Sequence, residues 1–192
     1  MSVHPTIPMQ ATPRLSPPAF LSNGPKLLFI DGKHVPARSG KTFQTLNPAT
    51  RKLLAEVAQG SAEDIDLAVK AARRAFEGPW SRWRPADRQQ AMVRLADLVE
   101  RHYDELALLD TLDLGAPISR TTLGRKRPGA LLRYYGGLAT STHGETIDSS
   151  FMPHESLTYT LKEPVGVVGA INPWNGPIGM AIWNLCPVLA SG

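Results

Sequence analysis

Glu163-Pro-Val-Gly-Val-Val-Gly-Ala-Ile-Asn-Pro-Trp-Asn175 is the stretch on which the reading of this chain turns. Val165 to Ile171 is apolar at odd and even positions alike, the pattern of a central parallel strand covered on both faces. Asn172 to Gly176 interrupts that run, and Pro177 or Ile178 opens a helix that continues to the end of the sequence. Strand, loop and helix make half of a βαβ unit. In open α/β sheets ligands settle just beyond the carboxyl ends of strands, which is where residues 172–176 fall. Asn175 can then donate its side-chain amide to a bound group. An asparagine before a helix can equally be its N-cap, and the residues alone leave both readings open.

Upstream, Leu27 to Ile30 and Lys33 to Val35 flank Asp31-Gly32, a strong hairpin signal. Thr42 to Leu46 and Leu53 to Ala58 read as two more extended segments around the Asn47-Pro48-Ala49-Thr50 turn. Ser61 opens a helix, with Glu63 and Asp64 near its positive end and Ile65, Ala68, Val69, Ala72 and Phe76 as one buried stripe. Pro85 starts a longer helix with Met92, Leu95, Ala96, Val99, Tyr103 and Leu106 on its apolar face, ended by Gly115. A third helical region runs from about Ser119 to Tyr135, with Pro128 kinking it or starting its second half. Gly136-Gly137 is expected to loosen the chain. Residues 145–161 then alternate, with Leu157, Tyr159 and Leu161 on one face of a half-exposed antiparallel strand.

Composition narrows the function. The 192 residues are 42% hydrophobic and 20% charged, enough for one domain, or for one domain and part of a second. The net charge of +4 is partly local: residues 1–26 contain Arg14 and Lys26, no acid and six prolines. That segment cannot offset its ordering entropy and is expected to be a mobile tail, with a transit peptide as the sharper alternative. Arg120, Arg125, Lys126, Arg127 and Arg133 lie near Tyr134 and Tyr135, but a solvated helix face with inward tyrosines explains them without nucleic acid. No apolar run reaches the length of about 20 residues that a membrane span needs. The single cysteine, Cys186, fits a reducing compartment, and the expected location is cytoplasmic. No G-x-G-x-x-G, P-loop, G-x-S-x-G elbow or metal-ligand spacing occurs.

The order of these pieces from Phe29 to Gly192 resembles the aldehyde dehydrogenase superfamily. The resemblance rests on Phe29-Ile-Asp-Gly-Lys33, Leu46-Asn-Pro-Ala-Thr50, Asp64-Ile-Asp-Leu-Ala-Val-Lys-Ala-Ala72, Leu109-Asp-Thr-Leu-Asp-Leu-Gly115 and the Tyr134-Tyr-Gly-Gly137 region. Its most specific part is Glu163 to Asn175 with Pro177. The implied fold is α/β: the N-terminal part of the aldehyde dehydrogenase fold, an incomplete Rossmann-like cofactor domain with an antiparallel oligomerisation arm. Residues 1–26 are the Pro-rich tail and 27–144 the first strands and helices of the cofactor-binding domain. Residues 145–162 match the arm, and 163–192 the first central strand, Pro-Trp-Asn loop and helix.

The implied chemistry is NAD(P)-dependent oxidation of a small-molecule aldehyde to a carboxylic acid. In the family a cysteine thiolate attacks the aldehyde, hydride leaves to NAD or NADP, and water assisted by a glutamate hydrolyses the thioester. Asn175 matches the amide donor to the oxyanion, a role worth about 3–4 kcal/mol when the donor is well aimed. Ile171, Asn172, Pro173 and Trp174 match positions lining the nicotinamide end of the cofactor; Gly176, Met180 and Trp183 match the substrate channel. Gly176 and Gly179 stand where larger residues are usual, which implies a wider channel and a bulky aldehyde. Asn172 replaces a usually apolar residue and Asn184 a frequent lysine. The nucleophile and the glutamate base fall beyond these residues, and Cys186 reads as a buried structural thiol.

The chain is therefore expected to be a fragment, inactive alone, of a homo-oligomeric enzyme, with no metal, no nucleic acid and no membrane. The alternative is a non-catalytic paralogue that binds full-length subunits. In either case the last helix is expected to expose Ile182, Trp183 and Leu189.

Overall fold

The computed structural model describes residues 17–148, 154 and 156–192. Its elements are α1 (Ala19–Ser22), β1 (Leu28–Ile30), β2 (Lys33–Val35), β3 (Thr42–Leu46), β4 (Leu53–Ala58), α2 (Ala62–Glu77), α3 (Pro85–Arg101), α4 (Tyr103–Leu114), α5 (Ile118–Leu123), α6 (Lys126–Ala139), β5 (Thr146–Ile147), β6 (Thr158–Tyr159) and α7 (Pro177–Ser191). Of the expected tail, residues 1–16 lie outside the described residues; residues 17–26 include α1, and Lys26 is tied to β4. Its N–H donates to the Glu56 carbonyl at 2.7 Å, and the Ala58 N–H donates to its carbonyl at 2.8 Å.

The expected hairpin forms, and the two extended segments that follow it also pair. β1 and β2 pair antiparallel around Asp31 and Gly32, whose φ angles of 55° and 73° give the turn the backbone twist that tight hairpins favour. β3 and β4 pair from Thr42↔Ala58 to Leu46↔Leu53. At the start of α2, the Ser61 N–H (2.8 Å) and hydroxyl (2.9 Å) both donate to the Asp64 carboxylate. The Arg38 N–H donates to its other oxygen at 2.9 Å, so one buried acid ties the helix start to the segment after β2. These donors hold the Asp64 carboxyl below its ordinary range.

The core lies between three helices. Met92 and Ala96 of α3, Leu132 and Ala139 of α6, and Ile182, Cys186 and Ala190 of α7 form one buried cluster, with Leu95, Val99, Leu131, Tyr135 and Leu189 around it. The expected apolar face of α3 supplies its share. α6 packs closely on α3: a Cβ on Gly136 would be in ordinary contact with the Met92 Cβ at 3.4 Å, and one on Gly129 would meet the end of the flexible Glu100 side chain. α4 ends where Gly115 turns left-handed at φ 78° and its N–H reaches the Thr111 carbonyl at 3.1 Å. The Thr45 hydroxyl donates to Asp113, joining β3 to α4.

Several expectations change. The helix begun at Pro85 breaks at His102 and resumes as α4. Gly136-Gly137 does not loosen the chain but lies inside α6, where Gly136 is buried against Gln89 and Met92 of α3. Tyr134 is exposed, while Tyr135 packs inward. On α2, Ile65 and Val69 are exposed, since among the described residues no element covers that face. Ile182 is buried rather than exposed, because α7 lays it against α3 and α6. Of residues 145–161, only Thr146↔Tyr159 and Ile147↔Thr158 pair, and Leu157, Tyr159 and Leu161 are exposed; residues 149–153 and 155 lie outside the described residues. The largest correction concerns Val165 to Ile171, which forms no strand. Val165 is 92% and Ile171 97% exposed. A strand needs a neighbour to take its N–H and C=O groups, and among the described residues none lies beside this segment.

Leu132 is fully buried at the centre of the three-helix contact. Leu132→Ala should lower unfolding free energy by about 2–5 kcal/mol in a denaturant titration; a change within error would mean that the cluster is not the stabilising core. The lowered Asp64 carboxyl contributes stability that is complete above its unfolded value near 3.8 and is lost as pH falls through the still lower folded value. The thermal midpoint of Asp64→Asn should therefore lie below that of the parent at neutral pH, and the two should converge in acid. A gap that stays constant with pH would remove the charge from the explanation.

Candidate functional site

α7 is positioned from below by the core and from above by its first turn. Gly176 is its N-cap residue, with no side chain capping it, and Pro177 occupies the first helical position. The N-cap reading of Asn175 therefore does not hold. Asp110 of α4, a half-buried carboxylate, lies beside this helix start. Burial pushes the Asp110 carboxyl up, the nearby Ile178 backbone amide lowers it, and the neighbouring Asp113 raises it again.

Beside this helix start lies a cleft of about 330 Å³. Asn175, Gly176, Met180 and Trp183 line it together with Tyr103 and Asp110 from α4, Arg120 from α5 and Arg127 from α6. The four expected oxyanion and channel residues are thus brought to one cavity. At Gly179, which also lines it, an added Cβ would meet nothing within 4 Å; at Gly176 it would only reach the Met180 side chain at 4.0 Å. There is room where the two glycines stand.

Ile171, Asn172, Pro173 and Trp174 do not line this cleft. They form the exposed segment leading into α7, with Trp174 79% exposed. Asn172 is anchored by a hydrogen bond from the Asn184 amide to its side-chain carbonyl. The two residues that depart from the family pattern on either side of this loop thus pair with each other. Ile171 and Trp174 offer flat apolar surface on which the nicotinamide end of a dinucleotide could rest, so these residues fit such a group.

Cys186 is fully buried in the core, and burial alone pushes its thiol up to about 11. Such a thiol is protonated at neutral pH, and Cys186 is not among the residues that line the cleft. Among the described residues no cluster of His, Cys, Asp or Glu is placed to hold a metal ion, and no helix is long and apolar enough to cross a membrane. Asp110, Arg120 and Arg127 were not singled out for the site from sequence. Asp110 lies within the Leu109–Gly115 motif, an acid inside a largely apolar run, and the two arginines are masked by the general basicity of their segment.

The family model described as the aldehyde dehydrogenase family matches residues 34–192. DhaS of Bacillus subtilis (strain 168) is 49% identical over 190 residues, covering 97% of this chain and 37% of that protein. The mitochondrial benzaldehyde dehydrogenase of Antirrhinum majus is 47% identical, covering 86% and 31%. The structure of a Bacillus cereus aldehyde dehydrogenase in complex with NAD+ superposes with a TM-score of 0.84 at 46% identity, over 90% of this chain and 35% of that one. The chain spans about a third of the length of the relatives it matches. The mixed helix-and-sheet architecture is accordingly a partial aldehyde dehydrogenase fold. A helix start flanked by Pro173-Trp174-Asn175, a cleft beside it, and agreement in sequence and shape over nearly every described residue place this chain in the aldehyde dehydrogenase family.

Proposed function

We propose that these residues form the N-terminal third of an enzyme that oxidises an aldehyde to a carboxylic acid with NAD or NADP. The observation that carries this reading is the convergence of Asn175, Met180 and Trp183 on one cleft at the start of α7, in a chain of this family. Asn175 directs an amide N–H toward the oxygen of the bound aldehyde. An oriented donor of this kind stabilises the negative charge that develops there when a thiolate attacks the carbonyl. Met180 and Trp183 wall the channel and keep the reacting carbon in place. The dinucleotide supplies the hydride acceptor, and Ile171, Asn172, Pro173 and Trp174 hold its nicotinamide end against the loop. The attacking cysteine and the base that activates water belong to residues outside this chain. The β5–β6 pair is the start of an oligomerisation arm, and the working enzyme is a homo-oligomer in the cytoplasm.

The open space at Gly176 and Gly179 favours a bulky aldehyde, in keeping with a relative named for benzaldehyde. Purified alone, the 192-residue chain should produce no NADH or NADPH with any aldehyde. Turnover that disappears in Cys186→Ala would overturn the structural role given to that cysteine. In a polypeptide that joins this segment to a nucleophilic cysteine, Asn175→Ala should lower kcat by roughly 10²–10³-fold. The same enzyme should show higher kcat/KM for benzaldehyde than for acetaldehyde, and the reverse order would count against the wide channel.

A further inference from the structure

The basic segment of α5 and α6 divides into two groups. Arg125 pairs with Asp104, and Arg133 pairs with Asp97 at 2.7 Å and Glu100 at 2.6 Å. Those arginines are occupied in holding helices together. Arg120 and Arg127 are not: both are exposed, among the described residues neither side chain has an ion pair or hydrogen bond, and both line the same cleft as Asn175. The acid in the same cleft, Asp110, lies beside the start of α7 and forms no ion pair with either arginine. The cleft that Asn175 lines therefore also carries two arginines whose side chains, among the described residues, meet no protein acceptor. A guanidinium presents a planar fork of N–H donors that matches a carboxylate bidentately, and it stays charged at any working pH.

We infer that Arg127, assisted by Arg120, binds a carboxylate carried by the substrate at the end remote from its aldehyde, so that the preferred substrate is an aldehydo-acid. This rests on the aldehyde-oxidising reading above and adds the charge of the substrate to it. Asn175 meets the carbonyl oxygen, and the arginines meet the anionic end across the cleft. The cavity of about 330 Å³ lies within the range of small-molecule sites and suits a compact molecule with two polar ends.

The test compares two aldehydes of nearly equal shape, 4-carboxybenzaldehyde and its uncharged methyl ester. Their binding to the full 192-residue chain is followed by ligand-observed NMR, with circular dichroism confirming that each variant is folded. The carboxylate should bind at least about tenfold more tightly than the ester. Arg127→Ala should reduce that preference to about threefold or less, Arg127→Lys should restore part of it, and the double variant with Arg120→Ala should abolish it. Lys70→Ala, an exposed residue paired with Asp66 far from the cleft, should leave it unchanged. Equal binding of the two probes, a preference that survives the double variant, or no binding of either probe would overturn the inference. Benzoate and Asn175→Ala separate the two layers of the argument. If benzoate binds as tightly as 4-carboxybenzaldehyde and Asn175→Ala changes neither, the anion site stands and the aldehyde reading fails. If Asn175→Ala weakens both aldehydes equally while they bind alike, the aldehyde reading stands and the charge preference fails.

Discussion

Everything in this structure that bears on chemistry depends on the contact of α3 with α6 and the seating of α7 against both. Met92, Leu132 and Cys186 are its fully buried large side chains. Burial of Met92 and of Leu132 stabilises the fold by about 1.5–3 kcal/mol each, and the close packing of interiors makes the arrangement discrete rather than adjustable. The ion pairs of Arg133 with Asp97 and Glu100 flank the contact, but they are partly exposed and add little energy. Once α7 is seated, the position of its first turn follows, and with it the position of Asn175. Asp110 of α4 lies beside that turn, so that the site-bearing element is seated by apolar packing along its length and meets a half-buried carboxylate at its start.

Much of this was legible in the sequence, and the reasons differ from element to element. Asp31-Gly32 gave the hairpin because two successive left-handed residues favour such a pair. Ser61 and Asp64 gave the start of α2 because a capping box is a local device. The apolar face of α3 was readable because its partners, α6 and α7, are present to cover it. The periodicity of α2 and the apolar run from Val165 to Ile171 are just as plain, yet the first is half exposed and the second forms no strand. Pattern reports which face an element can bury; whether it does so depends on a neighbour. Where the described residues supply none, the pattern is correct about propensity and wrong about state.

The site divides along the same line. Asn175, Gly176, Met180 and Trp183 could be placed together because they lie within one loop and two helical turns. Asp110, Arg120 and Arg127 come from three other helices, and only the tertiary packing brings them to the cleft. Nothing in the spacing of Arg120, Arg125, Arg127 and Arg133 tells which of them will find an acid. Asn172 and Asn184, each a departure from the family pattern when taken singly, are intelligible only as a bonded pair.

Gly129 stands beside the Glu100 side chain of α3. A single methyl group there would overlap the Glu100 carboxylate, and that carboxylate is also an acceptor for Arg133. The carboxylate is the far end of a flexible, partly exposed side chain, so a larger residue at this position would displace the ion pair before it moved either helix. Drift in sequence here would be felt in the pattern of surface charge, while the packing that seats the last helix is insulated from it.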